Sequence, residues 1–396
     1  MQPIKKKIVE ANPEFAPKPN PYYTLLVDGS NLLKISLVDE KINSRGEYIG
    51  GIFQFLIQLR KILVKKDWDF VYVFFDGPMS GILRYHLYPP YKANRDKHYE
   101  LFGGETAYDK QMNDYCKKVL SYYHKKKVEN NEKLNEKENE KLKIESQEKV
   151  LVKYFEEMSI RWIMDDRTEG DDLIAYYVNN RKSDERIVIM SADGDITQLI
   201  DEYVAVYNPR KKIFITDKND LKELGYPHQN IVLKKILTGD SSDNIKGIAG
   251  LGETTLANLV PEITKKPITL EDVIIKAKMV NEERIKSKKK PLLRVTNIIN
   301  GVSDYEEKKG QEFYELNKSI ISLSKPLITK EAQETLDNMR YTPIDPEGRG
   351  FQNLYKYIVS DDITDLKDSN RFASFFEPFK KLVNKELQFF KKCQEK

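Results

Sequence analysis

The sequence predicts an α/β protein with a mostly parallel central sheet and helices on both faces. Three observations support this. Short, apolar, β-prone runs read as buried strands. Segments with helical spacing fall between them, and strand, helix, strand, helix in that order argues for parallel crossovers. Each of the first four predicted strands is followed by acidic residues.

The first strand runs from Tyr22 to Val27 and enters a polar turn, Asp28-Gly29-Ser30-Asn31. Ile52 to Val64 carries a helical stripe of Ile52, Phe55, Leu56, Leu59 and Leu63. Phe70 to Phe75 is the second strand and ends at Asp76-Gly77-Pro78. Ile160 to Met164 and Arg186 to Met190 are the third and fourth. Tyr203 to Tyr207 and Lys212 to Thr216 form a hairpin around Asn208-Pro209, and Ile231 to Thr238 is a short helix. The glycine spacing from Gly239 to Gly252 marks a tight turn between helices. The remainder, 261–396, is lysine-rich with several helical segments. Phe372, Phe375, Phe376 and Phe379 make one apolar helical face, read as core packing, with a partner-binding tail as the sharper alternative.

Between the second and third strands lies an insertion of about 80–153. Its first half holds Tyr88-Pro89-Pro90-Tyr91-Lys92-Ala93-Asn94-Arg95. Its second half, His124 to Lys149, is rich in Lys, Glu and Asn and is expected to be a solvated helix or a mobile excursion.

Composition narrows the class. The chain has 396 residues, enough for one large or two smaller domains. The net charge of +4 does not by itself announce a nucleic-acid binder. Two cysteines argue against a disulfide framework and fit a reducing interior, so a cytoplasmic location is expected, the host cytoplasm if the source is viral. No apolar run approaches the roughly 20 residues of a membrane span. The four scattered histidines offer no zinc cluster. Residues 1–21 read as a loose arm.

The acidic residues carry the chemistry. Asp28, Asp76, Glu169, Asp171, Asp172, Asp193 and Asp195 all follow predicted strands. In an open parallel sheet ligands bind beyond the carboxyl ends of the strands, so these seven groups should converge at one edge. So many carboxylates repel one another, and bound hard cations relieve that repulsion through oxygen ligands. Two metals about 3.5–4 Å apart in such a nest are the arrangement that hydrolyses phosphodiesters. Any one cluster could be a turn or a helix cap; four at equivalent places in the topology are not random surface acids.

Taken together, six strings resemble the flap endonuclease/5′→3′ exonuclease superfamily, and most of all its bacteriophage-type 5′ nucleases (5′ exonuclease/ribonuclease H). They are Leu-Val-Asp28-Gly-Ser-Asn, Phe-Phe-Asp76-Gly, Tyr91-Lys92-Ala-Asn-Arg95, Glu169-Gly-Asp171-Asp172, Ser-Ala-Asp193-Gly-Asp195, and the run from Gly239-Asp240-Ser-Ser-Asp243 to Gly252. Order and rough spacing agree over about residues 22–260. The resemblance implies a nuclease domain at 22–225 with a helical arch in the insertion. It also implies a C-terminal helical domain at 226–396 with a helix-turn-helix-type duplex-binding module at about 228–262. Asp240 and Asp243 would complete the metal nest, with Mg²⁺ as cofactor and Mn²⁺ able to substitute. Lys92 and Arg95 would contact the scissile phosphate, and Tyr91 would stack on a base. Lys246, Gly247, Gly250 and Gly252 would meet the uncut duplex, and K⁺ at this turn is implied more weakly.

The implied activity is 5′→3′ exonuclease and flap endonuclease cleavage of DNA or RNA–DNA hybrid, removing primers or 5′ flaps in replication or repair. The implied partners are branched or nicked DNA with a 5′ single-stranded end, together with replication proteins such as a single-strand binding protein or clamp. A monomer is expected. The rival reading is a junction-binding paralogue without catalysis, disfavoured because all nine carboxylates and Lys92 are present. A departure from the family is Glu253-Thr254-Thr255 after the last glycine, where relatives often carry Pro-Lys-Thr. One phosphate-contacting lysine is therefore missing, which implies either a weaker duplex grip or compensation by Lys246.

Overall fold

The computed structural model describes residues 22–37, 41–45, 48–92, 136–305 and 307–394. Arg95, the N-terminal arm and most of the insertion lie outside them.

A six-stranded sheet forms the centre. Its strands are β1 (Tyr22–Asp28), β2 (Phe70–Asp76), β3 (Arg161–Asp165), β4 (Glu185–Met190), β5 (Val204–Asn208) and β6 (Ile213–Ile215). Their order is β3-β2-β1-β4-β5-β6, with only the β5–β6 pair antiparallel. The chain builds outward from β1 through β2 to β3, then returns to the far side of β1 with β4. The strand order therefore reverses at β1, and the crevice at such a switch point is where open α/β sheets bind ligands.

Alternate residues of the strands serve two cores. Leu25, Val27, Val71, Val73 and Phe75 face one side, against α2 (Gly50–Leu63) and the end of α4 (Glu136–Glu157). Leu26, Tyr72, Phe74, Ile187 and Ile189 face the other, against α5 (Gly170–Asn179). Burial on both faces explains why the strands read as continuous apolar runs. The helix α1 (Gly29–Ser36) follows β1 directly, α3 (Ile82–Leu87) follows β2, and α6 (Asp220–Leu224) follows β6.

Two expectations need correction. The Lys/Glu-rich part of the insertion is not wholly solvated. Its last turns belong to α4, where Gln147 and Glu148 are buried and Leu151, Tyr154 and Phe155 are core. Gln147 is held by its Oε1, which accepts the Gly51 amide at 2.7 Å. The C-terminal segment, in turn, does not form one helical body with the residues that precede it. A third core joins α7 (Ile231–Thr238), α8 (Glu253–Leu259), α9 (Leu270–Lys286), α10 (Leu293–Asn300) and α11 (Gln311–Ile321). Residues beyond these return to the sheet. Leu336 of α12 (Lys330–Tyr341) packs in the second core, and Leu354 of α13 (Phe351–Ser360) in the first. The helix α14 (Ser369–Gln394) closes the first core with Phe372, Phe376 and Phe379, with Phe375 packed against it, so the phenylalanine face is core.

The return is fastened by a buried ion pair. Arg161 of β3 reaches Glu386 of α14 with both terminal nitrogens, one at 2.8 Å. Glu386 also accepts the Ile344 amide at 2.6 Å. Removing one partner strands a buried charge. Glu386→Ala is expected to cost about 3–5 kcal/mol in urea unfolding, whereas a detachable tail would leave the midpoint unchanged.

Candidate metal centre at the carboxyl edge of the sheet

Each acidic group is placed by a short local device. Asp28 closes β1 and caps α1 by accepting the Asn31 amide at 3.0 Å, and the Ser191 hydroxyl donates to its other oxygen at 2.7 Å. Asn31 in turn accepts the Ala192 amide at 3.0 Å, which ties the loop after β4 to β1. Asp76 closes β2, accepts the Gly170 amide at 2.7 Å, and donates its own amide to Ser30. Asp193 accepts the Asp195 amide at 2.8 Å in a tight acidic turn.

The acids fall into two electrostatic classes. Glu169, Asp172, Asp195 and Asp240 have cations of the protein beside them. Arg84 pairs with both Glu169 and Asp172, and Lys92 pairs with Glu169. Burial alone would raise Glu169, but the charges of Lys92 and Arg84, with hydrogen bonds from Lys92 and Tyr91, hold it at about 2. Lys235 bridges Asp195 and Asp240, the latter at 2.6 Å. Among the described residues, no lysine or arginine forms an ion pair with Asp28, Asp76, Asp171 or Asp193. Burial and the charges of Asp76 and Asp193 push Asp28 up to about 7. Burial, then Asp28, Asp193 and Asp76, push Asp171 well above the ordinary carboxylate range.

The second group completes the nest from the helical side. Oxygens of Asp195, Asp240 and Asp243 lie within 4.8 Å of one another. The hairpin of β7 (Gly239–Asp240) and β8 (Ile245–Lys246) presents Asp240 and Asp243. Glu169, Asp171, Asp193, Asp195, Asp240 and Asp243 then line one open cavity of about 110 Å³, together with Lys92 and Lys235. An all-oxygen donor set, in which burial and neighbouring carboxylates raise the proton affinity of Asp171 and Asp195, suits a hard divalent cation.

Several expected residues sit elsewhere. Asp28, Asp76 and Asp172 do not line the cavity; Asp172 is fully buried, and its oxygens are taken by Arg84 and by the Leu327 amide at 2.9 Å, so it anchors Arg84. Tyr91 is not an open stacking platform. Its ring lies in the third core, and its hydroxyl donates to Glu169 at 3.0 Å. Gly247 is needed for close packing, because a Cβ there would come within 2.3 Å of the Gly239 nitrogen. Gly250 has φ +75° and is exposed, as is Lys246.

Three residues escaped sequence reasoning in these roles. Arg84 falls within the insertion, and neither Lys235 nor Asn244 was singled out. Asn244 adopts φ +56°, donates to the Pro90 carbonyl at 2.8 Å and accepts the Tyr88 hydroxyl at 3.3 Å. The Lys92 amide donates to the Asp243 carbonyl at 2.9 Å. These bonds tie the segment carrying Lys92 to the loop carrying Asp243.

Comparison with known proteins places this geometry. Residues 23–225 match the family described as 5′-3′ exonuclease, N-terminal resolvase-like domain. The chain is 27% identical over 279 residues to a thermostable DNA polymerase I of Thermus caldophilus, covering 70% of this chain and 27% of the relative. It is 31% identical over 176 residues to a 5′-3′ exonuclease of Mycoplasmopsis pulmonis (strain UAB CTIP), covering 42% of this chain and 50% of the relative. The matched part thus spans between about a quarter and a half of those relatives. The fold is similar to T5 5′-exonuclease with divalent metal ions (zinc) bound, at TM-score 0.56 and 16% identity over 81% of this chain and 99% of that one.

Two tests follow from the geometry. Asp28 has a folded pKa of about 7 against an ordinary 3.8, so its contribution to stability is present below about pH 4 and lost as pH rises through 7. In EDTA the melting temperature should therefore fall between pH 5 and pH 8. Millimolar Mg²⁺ should restore it, and Asp28→Asn should flatten the curve. A melting temperature that rises with pH in EDTA would contradict the carboxylate crowding. Separately, Asn244→Ala removes a hydrogen bond and puts alanine at a left-handed position, at an expected cost of about 2 kcal/mol in chemical denaturation. Asn244→Gly should recover about half of that; equal losses in both variants would refute a backbone contribution.

Proposed function

Because this chain belongs to the 5′-3′ exonuclease family, we propose that it is a structure-specific 5′ nuclease. It cuts phosphodiesters of DNA or of an RNA–DNA hybrid at 5′ ends and single-strand/double-strand junctions. Removal of primers or 5′ flaps in replication or repair is the role this chemistry serves. The observation that carries the reading is the cavity in which carboxylates of the sheet and of the β7–β8 hairpin face Lys92.

Asp28, Asp76, Asp171 and Asp193 are the ligands proposed for one divalent cation, and Asp195, Asp240 and Asp243 for another. Magnesium or manganese suits these oxygen ligands, and bound there the pair supplies an activated water and neutralises charge on the leaving oxygen. The protein's own residues do the rest. Arg84 fixes Glu169 and Asp172 and so holds the loop after β3 in place. Lys92 rests on Glu169 and is positioned to exchange that partner for an oxygen of the scissile phosphate, where a fixed cation stabilises developing charge. Arg95, three residues on, is proposed to act beside it. Lys235 occupies the space between Asp195 and Asp240, so a cation binding there must move its ammonium aside. The turn from Gly247 to Gly252, with Lys246, is proposed to meet the uncut duplex through its phosphates, which needs no base reading. The segments 22–225 and 323–394 form the proposed nuclease body, and 226–321 the duplex-binding body.

A neighbouring solved structure is described as a bacteriophage T5 flap endonuclease complex with DNA and metal ions, with TM-score 0.51 and 14% identity. That description supports DNA as the substrate class to test first. With Mg²⁺ and a 5′-flap duplex, wild type should cut near the junction. Asp193→Asn should lose roughly a hundredfold or more in rate while keeping its melting temperature, and EDTA should abolish cutting. Tight binding by wild type without cleavage, in both Mg²⁺ and Mn²⁺, would replace this reading with a junction-binding protein lacking catalysis.

A further inference from the structure

We propose that the α9–α10 hairpin is a second phosphate-gripping element, clasping the backbone of uncut duplex DNA beside the glycine turn. The inference rests on the reading that this turn meets the duplex. Between Arg284 and Arg294 the chain places six cations and no acid. Lys286, Lys288, Lys289, Lys290 and Arg294 are exposed and form no ion pair with a described carboxylate. A basic run of this kind is ordinarily just solvated surface. Two features give this one a direction.

The first is order. Lys288 takes a left-handed φ of +56°, the Lys289 amide donates to the Arg284 carbonyl at 2.8 Å, and Arg284 Nε donates to the Lys290 carbonyl at 2.9 Å. Asn281 accepts the Leu292 amide at 3.0 Å and donates to Thr296 at 3.1 Å, locking the two helices together. The cations therefore sit on a fixed frame, which reduces the ordering cost of binding.

The second is placement. Asn297 of α10 donates to the Ala249 carbonyl at 3.1 Å, and the Ala249 amide donates to the Val302 carbonyl at 3.0 Å. A Cβ on Gly250 would lie 3.9 Å from the Cβ of Arg294. The hairpin is thus built onto the turn itself. The turn, moreover, has little of its own to offer an anion. The amides of Ile248, Ala249 and Leu251 are spent on internal carbonyls, leaving those of Gly250 and Gly252 without a backbone partner among the described residues. The residue after the last glycine is Glu253, and its carboxylate takes Lys234 at 3.1 Å. Arg294 and the lysines behind it stand where the turn lacks a cation.

The test is binding of the full chain to a plain blunt duplex, by fluorescence anisotropy in Ca²⁺ across a salt series. The variant combines Lys288→Asn, Lys289→Ser, Lys290→Ser and Arg294→Gln; asparagine at 288 tolerates the left-handed backbone. Each phosphate that the protein no longer neutralises lowers the slope of log affinity against log salt by about 0.9, so the slope should fall by about 3 to 4 and affinity at least tenfold. Lys380→Ser with Lys381→Ser, on α14, is the charge-loss control and should change neither. At saturating 5′-flap substrate with Mg²⁺, turnover of the variant should match wild type while KM rises. Unchanged slope and affinity overturn the inference, as does an equal loss on single-stranded DNA of the same length. If wild type cuts nothing, the nuclease reading falls, and the duplex-binding arm still decides the role of the hairpin.

Discussion

Mutual repulsion among carboxylates at one edge of the sheet is the constraint to which the rest of the structure answers. The strand order reverses at β1, so the ends of β1, β2 and β4 and the loop after β3 all deliver acids to one crevice. The protein balances part of that charge from within. Arg84 and Lys92 neutralise the Glu169 flank, and Lys235 neutralises Asp195 and Asp240. Asp28 and Asp171 receive no such partner, and burial together with the neighbouring carboxylates raises their proton affinities. Buried charge without compensation either takes up a proton or recruits a cation. The two groups of acids therefore differ in charge balance: Asp28 and Asp171 lack a cation of the protein beside them, whereas Asp195 and Asp240 share Lys235.

The balance also welds the two bodies together. Arg84 lies on α3, its carboxylate partners sit at the start of α5, and its Nε donates to the Ile320 carbonyl of α11 at 2.9 Å. Gln198, beyond β4, donates to the Ile321 carbonyl and accepts the Leu323 amide. Asn317 of α11 spans the Ile236 and Lys246 carbonyls. The hairpin bearing Asp240 and Asp243 is thus tied by the Asn317 side chain to a helix whose carboxyl end is bonded by Arg84 and Gln198. A nest assembled in this way needs both bodies docked, so disturbing the third core would disperse ligands that it never touches.

Much of this was legible in the sequence, for identifiable reasons. The strands were legible because burial on both faces makes them continuously apolar. The acids were legible because a strand end is a local feature and the carboxylates sit there. The helix at Ile231–Thr238 was read at its observed bounds, its stripe being closed by Gly239. What was not legible is tertiary. Arg84, buried against Asp172, carries no local mark that separates it from a solvated arch arginine. The resemblance implied a stacking role for Tyr91, yet packing in the third core decided its place. The return of α12, α13 and α14 to the sheet is fastened by Arg161 meeting Glu386 across 225 residues of chain, a pairing that no local pattern encodes.

The same logic bears on the glycine-rich turn. Its glycines invite the view that backbone amides bind phosphate, since small residues let a backbone approach closely. Yet Gly247 is small because the Gly239 backbone lies against it, and three of the neighbouring amides donate to the carbonyls of Leu237, Val302 and Ile248. A turn that spends its donors on its own geometry gains rigidity and gives up anion affinity. On the proposed reading, positive charge for a duplex then comes from side chains held in register with the turn. The shortest structural route to that register is the hydrogen bond between Asn297 and Ala249, which fixes α10, and with it Arg294, beside Gly250, whose left-handed backbone faces solvent.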